Sequence, residues 1–201
     1  MSNIALIPAR GGSKGIPRKN IKLFNSKPLI YWSIKTALES ESIDRVIVST
    51  EDEEIAEISR SFSAEVPFLR PQYFAEDDSL SIDVVLHALR NLSDVENVLL
   101  MQPTSPLRRT VDIEGIFKIR SEFDSDSAVS LTKADKNPDL FFSLDSNKRI
   151  KPCSKKIKFL PRQAYPEKFI LNGALYLSTI KSLFDNNSFV SSNTIGYIMP
   201  K

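Results

Sequence analysis

The sequence is poor in the residues on which several common kinds of chemistry depend. Its 201 residues include one cysteine and one histidine. The single cysteine, Cys153, cannot form an intramolecular disulfide, which is consistent with a reducing compartment. The only histidine, His87, lies within a predicted helix among leucines, so we interpret it as a packed helix residue. A Ser-His catalytic triad is therefore excluded.

Charge of one sign and long apolar runs are also absent. The 27 Lys and Arg residues nearly balance the 25 Asp and Glu residues, which argues against a general polyanion-binding surface and against nucleic acid as a partner. No apolar run approaches membrane-spanning length, and no N-terminal signal pattern is visible. With 41% hydrophobic residues the chain can bury one core, so we expect a single cytoplasmic domain over residues 1–201 without a membrane partner.

Short apolar strands alternate with amphipathic helices along most of the chain. The predicted strands are 4–7, 45–50, 66–69, 97–101, 128–131, 169–177 and 195–199, and the predicted helices are 28–40, 52–64, 80–92, 111–123 and 179–185. This alternation predicts an α/β fold with a mostly parallel sheet and helices on both of its faces. Residues 133–168, rich in Asp, Asn, Lys and Pro, interrupt the pattern and are predicted to be an insertion with a hairpin around 141–150.

A loop rich in glycine and cations follows the first predicted strand, in the stretch LIPARGGSKGIPRKNI at residues 6–21. Glycines there could adopt positive φ and let backbone N–H groups approach anionic oxygens. The loop matches neither GxxxxGK[ST] nor GxGxxG. A solvated turn with incidental lysines is the alternative, but glycines and cations at the carboxyl end of a strand favour phosphate binding.

Three further polar segments follow predicted strands. Open α/β sheets bind ligands at the carboxyl ends of their strands. We therefore expect residues 10–19, 50–52, 70–78 and 102–108 to meet in one cleft.

Several motifs occur in one order across almost the whole chain: PARGGSKGIPRKNI, PLI, VSTEDEEIA, RP at 70–71, LLMQPTSPLR and NGALY at 172–176. Together they resemble the CMP-N-acylneuraminate cytidylyltransferases, or CMP-sialic acid synthetases. The resemblance implies a three-layer Rossmann-like nucleotidyltransferase fold, with 133–168 as a dimerisation arm of a homodimer. It further implies Mg²⁺-dependent transfer of CMP from CTP to the anomeric hydroxyl of a nonulosonic sugar acid, with release of pyrophosphate.

The resemblance also suggests roles for individual residues. Catalytic roles fall to Arg10, Lys14 and Lys19, whose charges would bind the triphosphate and stabilise the departing pyrophosphate. The expected nucleotide-binding residues are Gly11, Gly12, Ser13, Asn20, Arg70 and Ser81. The expected sugar-acid residues are Gln102, Arg162, Asn172 and Tyr176, and the guanidinium of Arg162 suits a planar carboxylate.

Several of these polar residues also have a purely structural interpretation. Arg70 could be a surface residue before a turn, Arg162 one more charge on a solvated arm, and Tyr176 a core aromatic. Residues 77–79 could cap the helix that follows, and Thr104 and Ser105 could be polar groups at a helix start. For Asp52 we prefer the capping interpretation, and Arg18 is expected to face solvent.

The sequence departs from the family pattern in two places. At 137–140 and 169–171 it lacks basic residues that members specific for sialic acid carry, which favours legionaminic or pseudaminic acid as the acceptor. In addition, the family continues into a segment of the type S-x-D-I-D whose aspartates bind Mg²⁺, whereas this sequence ends at 199–201, so the metal ligands are unknown.

Two alternative functions stay open. The second departure leads to one of them, a nucleotide-binding protein with weak or no turnover. The other is a nucleotidyltransferase for 3-deoxy-octulosonate, whose loop pattern fits residues 11–19 less well.

Overall fold

The structure, a computed structural model, describes residues 2–153 and 165–200. The strands are β1 Ser2–Pro8, β2 Leu23–Phe24, β3 Lys27–Pro28, β4 Arg45–Ser49, β5 Val95–Met101, β6 Ser127–Lys133, β7 Phe142–Leu144, β8 Ile150–Pro152, β9 Phe169–Thr179 and β10 Thr194–Ile198. The helices are α1 Leu29–Leu38, α2 Glu53–Ser61, α3 Ser81–Arg90, α4 Thr110–Glu122 and α5 Ile180–Asn186. The chain forms two compact units, 1–130 with 173–197 and 131–172 with 198–201.

A mainly parallel sheet forms the centre of the fold, in the order β10-β6-β9-β5-β1-β4. β1 runs parallel to β4 and to β5, while β5 and β9 are antiparallel. Residues 4–7 of β1 are all completely buried. Because side chains alternate between the faces of a strand, both faces of the sheet are covered at this point. The predicted α/β class with a mostly parallel sheet is confirmed.

The helices form where apolar residues recur at helical spacing. In α1 the buried residues include Ile30, Ile34 and Ala37, one stripe along the helix. α2 begins after Asp52, whose carboxylate accepts the Ile55 N–H at 3.0 Å. The predicted capping role of Asp52 is therefore confirmed, and this cap fixes the start of α2.

The predicted strand at 66–69 does not form. Within the described residues only Glu65 bridges to Ile47, and Pro67 has no N–H to continue a ladder. The segment still follows the sheet edge, because the Arg70 N–H donates to the Thr50 carbonyl at 2.9 Å. The short β2–β3 hairpin has no counterpart in the sequence-based prediction.

The second unit contains the predicted hairpin, in which β7 and β8 pair antiparallel with Leu144 opposite Ile150. Lys133 forms an ion pair with Glu167, and the Ala134 N–H donates to the Lys168 carbonyl at 2.8 Å. In the part of the chain that the structure describes, no helix is long and apolar enough to cross a membrane.

Candidate active site

A cleft of about 360 Å³ lies in the first unit, beyond the carboxyl ends of β1 and β5. Its lining residues come from three stretches of the chain: Pro8, Arg10, Ser13, Lys19 and Asn20; Arg70, Phe74, Glu76, Asp77, Ser79, Ser81 and Val84; and Gln102, Pro103 and Thr104. β1 has β4 on one side and β5 on the other, so the strand order reverses at this point. This is where open α/β sheets bind ligands.

The two leading cations of the first loop both contact one carboxylate. Arg10 Nη2 lies 2.9 Å from Asp77 Oδ1, and Lys14 pairs with the other oxygen of Asp77. Arg10 also donates to the carbonyls of Ala75 and Glu76, at 3.2 and 3.0 Å. The hydrogen bond from Lys14, with a further contribution from Arg10, lowers the pKa of Asp77. A carboxylate thus occupies the position that we predicted for a phosphate.

The capping interpretation of residues 77–79 is wrong. The residue before α3 is Leu80, and no side chain caps the helix there. Asp77 faces the cations of the cleft instead, and Ser81, the first residue of α3, lines the cleft as predicted.

The loop glycines do not adopt the positive φ that we expected. Within the described residues Gly173 is the only glycine with positive φ. Gly11 instead leaves space for Asp52, because a Cβ there would collide with the Asp52 carboxylate and displace it. Its N–H donates to Glu51 Oε1 at 2.7 Å, and the Ser13 N–H donates to the Gly11 carbonyl at 3.1 Å. Two of the N–H groups expected to face a phosphate are thus engaged within the protein.

Arg18 is predicted to face solvent, but its guanidinium contacts two carboxylates. It forms ion pairs with Asp52 and with Glu54, and the hydrogen bond from Arg18 lowers the pKa of Asp52. Arg18 is not one of the residues that line the cleft. It fastens the first loop to the start of α2.

Arg70 is buried, so its interpretation as a surface residue is wrong. Arg70 Nη2 lies 2.8 Å from Glu51 Oε2, and their side chains are 3% and 7% exposed. Burial lowers the pKa of Arg70, while the negative charge of Glu51 opposes that shift. Sequence reasoning missed Glu51. The available signal was its place in the VSTEDEEIA motif, just after the carboxyl end of a predicted strand.

The cleft also has an aromatic wall. Phe74 packs against His87 with ring centroids 4.9 Å apart, and His87 contacts Phe68 at 5.4 Å. Burial lowers the pKa of His87, and the charges of Arg70 and Arg90 add to this effect. The interpretation of His87 as a packed helix residue is confirmed.

The other polar residues of the first loop fix its geometry. Asn20 is buried, and its Nδ2 donates to the Arg10 carbonyl at 2.9 Å. Lys19 and Asn20 belong to a single 3₁₀ turn, Lys19–Ile21, and both line the cleft. Arg10, at the start of the loop, and Lys19 and Asn20, in its 3₁₀ turn, therefore line the same cavity.

The loop after β5 is held in place by Arg108, a second residue that sequence reasoning missed. Its buried guanidinium donates to the Gln102 carbonyl at 2.5 Å and to Ser33 Oγ at 3.0 Å. Burial lowers the pKa of Arg108 to about 10. Thr104 lines the cleft, and since α4 begins only at Thr110, the helix-start interpretation of 104–105 is wrong.

The predicted sugar-acid residues do not all reach this cleft. Gln102 lines it, whereas the half-buried Tyr176 is not among its lining residues and packs on Phe189, with ring centroids 5.7 Å apart. Burial raises the pKa of Tyr176. Asn172 lies in the second unit, where its Nδ2 donates to Met199 Sδ at 3.2 Å. Arg162 falls outside the described residues.

Comparison with known proteins identifies the family of this chain. The sequence model of the family described as cytidylyltransferase matches residues 4–181. The chain belongs to the cytidylyltransferase family. Its members named below are therefore relatives of this protein, and the family resemblance read from the motifs is confirmed.

Three relatives resemble the chain over nearly all of its length. The CMP-N,N'-diacetyllegionaminic acid synthase of Legionella pneumophila is 34% identical over 96% of this chain and 85% of its own. The pseudaminic acid cytidylyltransferase of Campylobacter jejuni is 30% identical, over 100% and 88%. An N-acylneuraminate cytidylyltransferase of Streptococcus agalactiae is 32% identical over 100% of this chain, which spans only 49% of that relative.

The fold also matches a solved structure. A CMP:2-keto-3-deoxy-manno-octonic acid synthetase, complexed with CTP, superposes with a TM-score of 0.73 over 99% of this chain and 91% of its own. The sequence identity is 16%, so this likeness concerns the fold. The nucleotidyltransferase architecture predicted from the sequence is confirmed.

Proposed function

We propose that this cytidylyltransferase transfers CMP from CTP to the anomeric hydroxyl of a nonulosonic sugar acid. The acceptor oxygen attacks the α-phosphorus, the bond from that phosphorus to the bridging α-β oxygen breaks, and pyrophosphate leaves. The proposal rests mainly on one observation: Arg10, Lys19, Arg70 and Gln102 line one cleft at the switch point of the sheet. The reaction class comes from the family to which the chain belongs and from the activities after which its relatives are named.

We expect the cleft to have a triphosphate end and a nucleoside end. Arg10, Lys14 and Lys19 would bind the triphosphate and stabilise the charge that develops on pyrophosphate. For this, phosphate oxygens would replace Asp77 between Arg10 and Lys14. Asn20, Arg70 and Ser81 would hold the nucleoside, and the loop 11–13 would lie beside the triphosphate. Gln102 would present both a donor and an acceptor to the sugar.

The acceptor we propose is a legionaminic-type or pseudaminic-type acid. Two relatives that this chain covers to 85% or more carry those acids in their names. In addition, Phe169, Ile170 and Leu171, just before the NGALY motif, have exposed apolar side chains. Such side chains suit the less polar substituents of these acids. We propose Asn172, Tyr176 and Arg162 as further acceptor-side residues on the family pattern alone.

We propose Mg²⁺ as the metal of this reaction, but the described residues do not form a protein site for it. Within 2–153 and 165–200 no group of three or more carboxylate, histidine or cysteine side chains could hold a metal ion. Asp77 is engaged by cations, and Glu51 by Arg70 and Gly11. Mg²⁺ prefers carboxylate and phosphate oxygens, so the donor set that this cleft offers does not match it.

An assay of pyrophosphate release tests the proposed reaction. The purified chain is mixed with CTP, Mg²⁺ and, in separate reactions, legionaminic, pseudaminic, N-acetylneuraminic and 3-deoxy-octulosonic acids, and the CMP-sugar is identified by mass spectrometry. We expect turnover with one of the first two acids. Binding of CTP without pyrophosphate release for any acid would contradict the proposal and favour the nucleotide-binding alternative.

We further propose that the enzyme is a homodimer that works in the cytoplasm, where CTP is made, and that residues 133–168 form the dimerisation arm. The β7–β8 hairpin exposes Leu144 and Ile150 opposite each other, and Phe141 and Phe169 are also exposed in the same unit. Replacing both Leu144 and Ile150 with Asp should halve the mass measured by analytical ultracentrifugation. If the protein stayed dimeric after deletion of 133–168, the proposal that these residues form the dimerisation arm would be contradicted.

A further inference from the structure

Glu51 lies between the two loops that supply most of the cleft. It comes after Ser49, the last residue of β4, and Thr50. The Ser49 carbonyl accepts the Ala9 N–H at 3.0 Å, and the Thr50 carbonyl accepts the Arg70 N–H at 2.9 Å. The backbone therefore brings the loop after β1 and the segment around Arg70 to either side of Glu51.

Each oxygen of the Glu51 carboxylate accepts a hydrogen bond from a different loop. Oε1 accepts the Gly11 N–H at 2.7 Å, and Oε2 accepts Arg70 Nη2 at 2.8 Å. These contacts join residues 40 and 19 positions away in the chain. One side chain thus holds the first loop, at the expected triphosphate end, and an arginine at the expected nucleoside end.

A carboxylate is the only side chain that can serve both partners. Arg70 is buried, and a buried guanidinium without an opposite charge is strongly unfavourable. A glutamine at position 51 would have one oxygen for two donors, so its NH₂ group would face either Gly11 or Arg70. Glutamine would therefore release one of the two loops while keeping nearly the same size.

Glu51 does not have the chemistry of a nucleotide ligand. Both of its oxygens are engaged by the protein, and its negative charge would repel a triphosphate. Resting on the proposed function, we infer that Glu51 is a positioning residue: it holds the Gly11 backbone and the Arg70 guanidinium in the arrangement that receives CTP. It acts through these two groups and not by touching the nucleotide.

Glu51→Gln tests this inference, with Glu65→Gln as its matched control. Glu65 also pairs with an arginine, Arg45, but this pair is exposed and involves the first residue of β4. For Glu51→Gln we expect the KM and the Kd for CTP to rise about tenfold or more, while the KM for the sugar acid changes less than about threefold. Hydrogen exchange of the Gly11 amide should accelerate about tenfold. Glu65→Gln should leave all four quantities within about twofold.

A second variant covers the case in which Glu51→Gln fails to fold. Glu51→Asp keeps the charge but is one methylene shorter, so it cannot reach both partners; we expect a rise of about threefold or more in the KM for CTP and faster exchange at Gly11. A folded Glu51→Gln or Glu51→Asp variant with CTP binding and Gly11 exchange like the wild type would overturn the inference and leave the proposed function intact. Failure of the wild type to bind CTP in calorimetry would overturn the proposed function, and this inference with it.

Discussion

Two arginines line the same cleft and each faces a carboxylate, but the two ion pairs differ in nearly every physical respect. The inner pair, Arg70 with Glu51, is 3% and 7% exposed. The outer pair, Arg10 with Asp77, is 32% and 43% exposed, and Asp77 is shared with Lys14, which is 83% exposed. Water cannot replace a partner in the inner pair, whereas an incoming phosphate can replace Asp77 in the outer pair. The inner pair therefore maintains the shape of the cleft, and the outer pair can exchange its anion for a ligand.

Breaking the inner pair should give the largest effect on stability. Arg70→Ala leaves Glu51 buried without its counterion, and we expect a loss of about 3 to 5 kcal/mol in the free energy of unfolding. Urea denaturation monitored by circular dichroism measures this loss. Arg45→Ala, which breaks the exposed pair with Glu65, should cost at most about 1 kcal/mol. Equal losses for the two variants would contradict the distinction between inner and outer pairs.

Removing the cation of the outer pair should affect the reaction and not the fold. Arg10→Ala deletes a charge that we assign to the departing pyrophosphate, so kcat/KM for CTP should fall about 10²- to 10³-fold. Initial rates of pyrophosphate release give this ratio. Arg18→Ala is the control, because Arg18 belongs to the same loop but pairs with Asp52 and Glu54 away from the cleft lining. If both variants lost activity equally, loop position and not charge would explain the effect.

A smaller effect on stability is expected at Gly173, where the backbone comes close to the cleft. Gly173 has φ +75°, and a Cβ there would lie 3.3 Å from Gln102 Oε1. Gly173→Ala should cost about 1 to 2 kcal/mol in the free energy of unfolding. Thermal melts of Gly173→Ala and Gly12→Ala provide the comparison, since a Cβ at Gly12 meets no atom within 4 Å. A larger loss for Gly12→Ala would contradict this account.

Removing the anion of the outer pair should favour the nucleotide. With Asp77→Asn, CTP no longer competes with a carboxylate for Arg10 and Lys14, so the KM for CTP should fall about 2- to 5-fold. The neighbouring exposed Asp78 offers a matched control as Asp78→Asn, which should leave the KM unchanged. A rise in the KM for Asp77→Asn would instead show that Asp77 assists nucleotide binding.

The smallest effect concerns pH. The cations lower the pKa of Asp77 in the folded protein, so its contribution to stability is present above the unfolded value near 4 and is lost as the pH falls through the lowered value. The wild type should melt slightly above Asp77→Asn at pH 7 and together with it at the acid end of the accessible range. A difference that grew as the pH fell would have the wrong sign.

The sequence predicts local structure better than it predicts the contacts of the cleft. Strands such as 4–7 and helices such as 80–92 follow from patterns within a few residues, and so does the cleft at the carboxyl ends of the strands. The failure at 66–69 has a local cause too, since Pro67 cannot donate to a ladder. By contrast, Glu51 contacts Arg70 and Gly11, which are 19 and 40 positions away. Their spacing in the sequence does not indicate that one carboxylate accepts hydrogen bonds from both.

The loop glycines show a second limit of sequence reasoning. Glycine suggests a special backbone conformation, yet at Gly11 the constraint is space, because a Cβ would displace the Asp52 carboxylate. In the stretch 10–19 a residue other than glycine, Arg18, has positive φ, at 53°. Steric exclusion by a residue distant in sequence cannot be distinguished from conformational need before the fold is known.

We expect Arg108 to contribute to the affinity of the cleft for CTP through a charge that salt screens only weakly. Its guanidinium is buried, hydrogen-bonds to the carbonyl of Gln102, and forms no ion pair within the described residues. Mobile ions screen exposed charges such as Lys14 within a Debye length of about 8 Å at physiological ionic strength, but they screen a buried charge much less. As ionic strength rises, the affinity for CTP should therefore fall steeply at first and then level off, and the level that remains measures how much of the field comes from inside the protein.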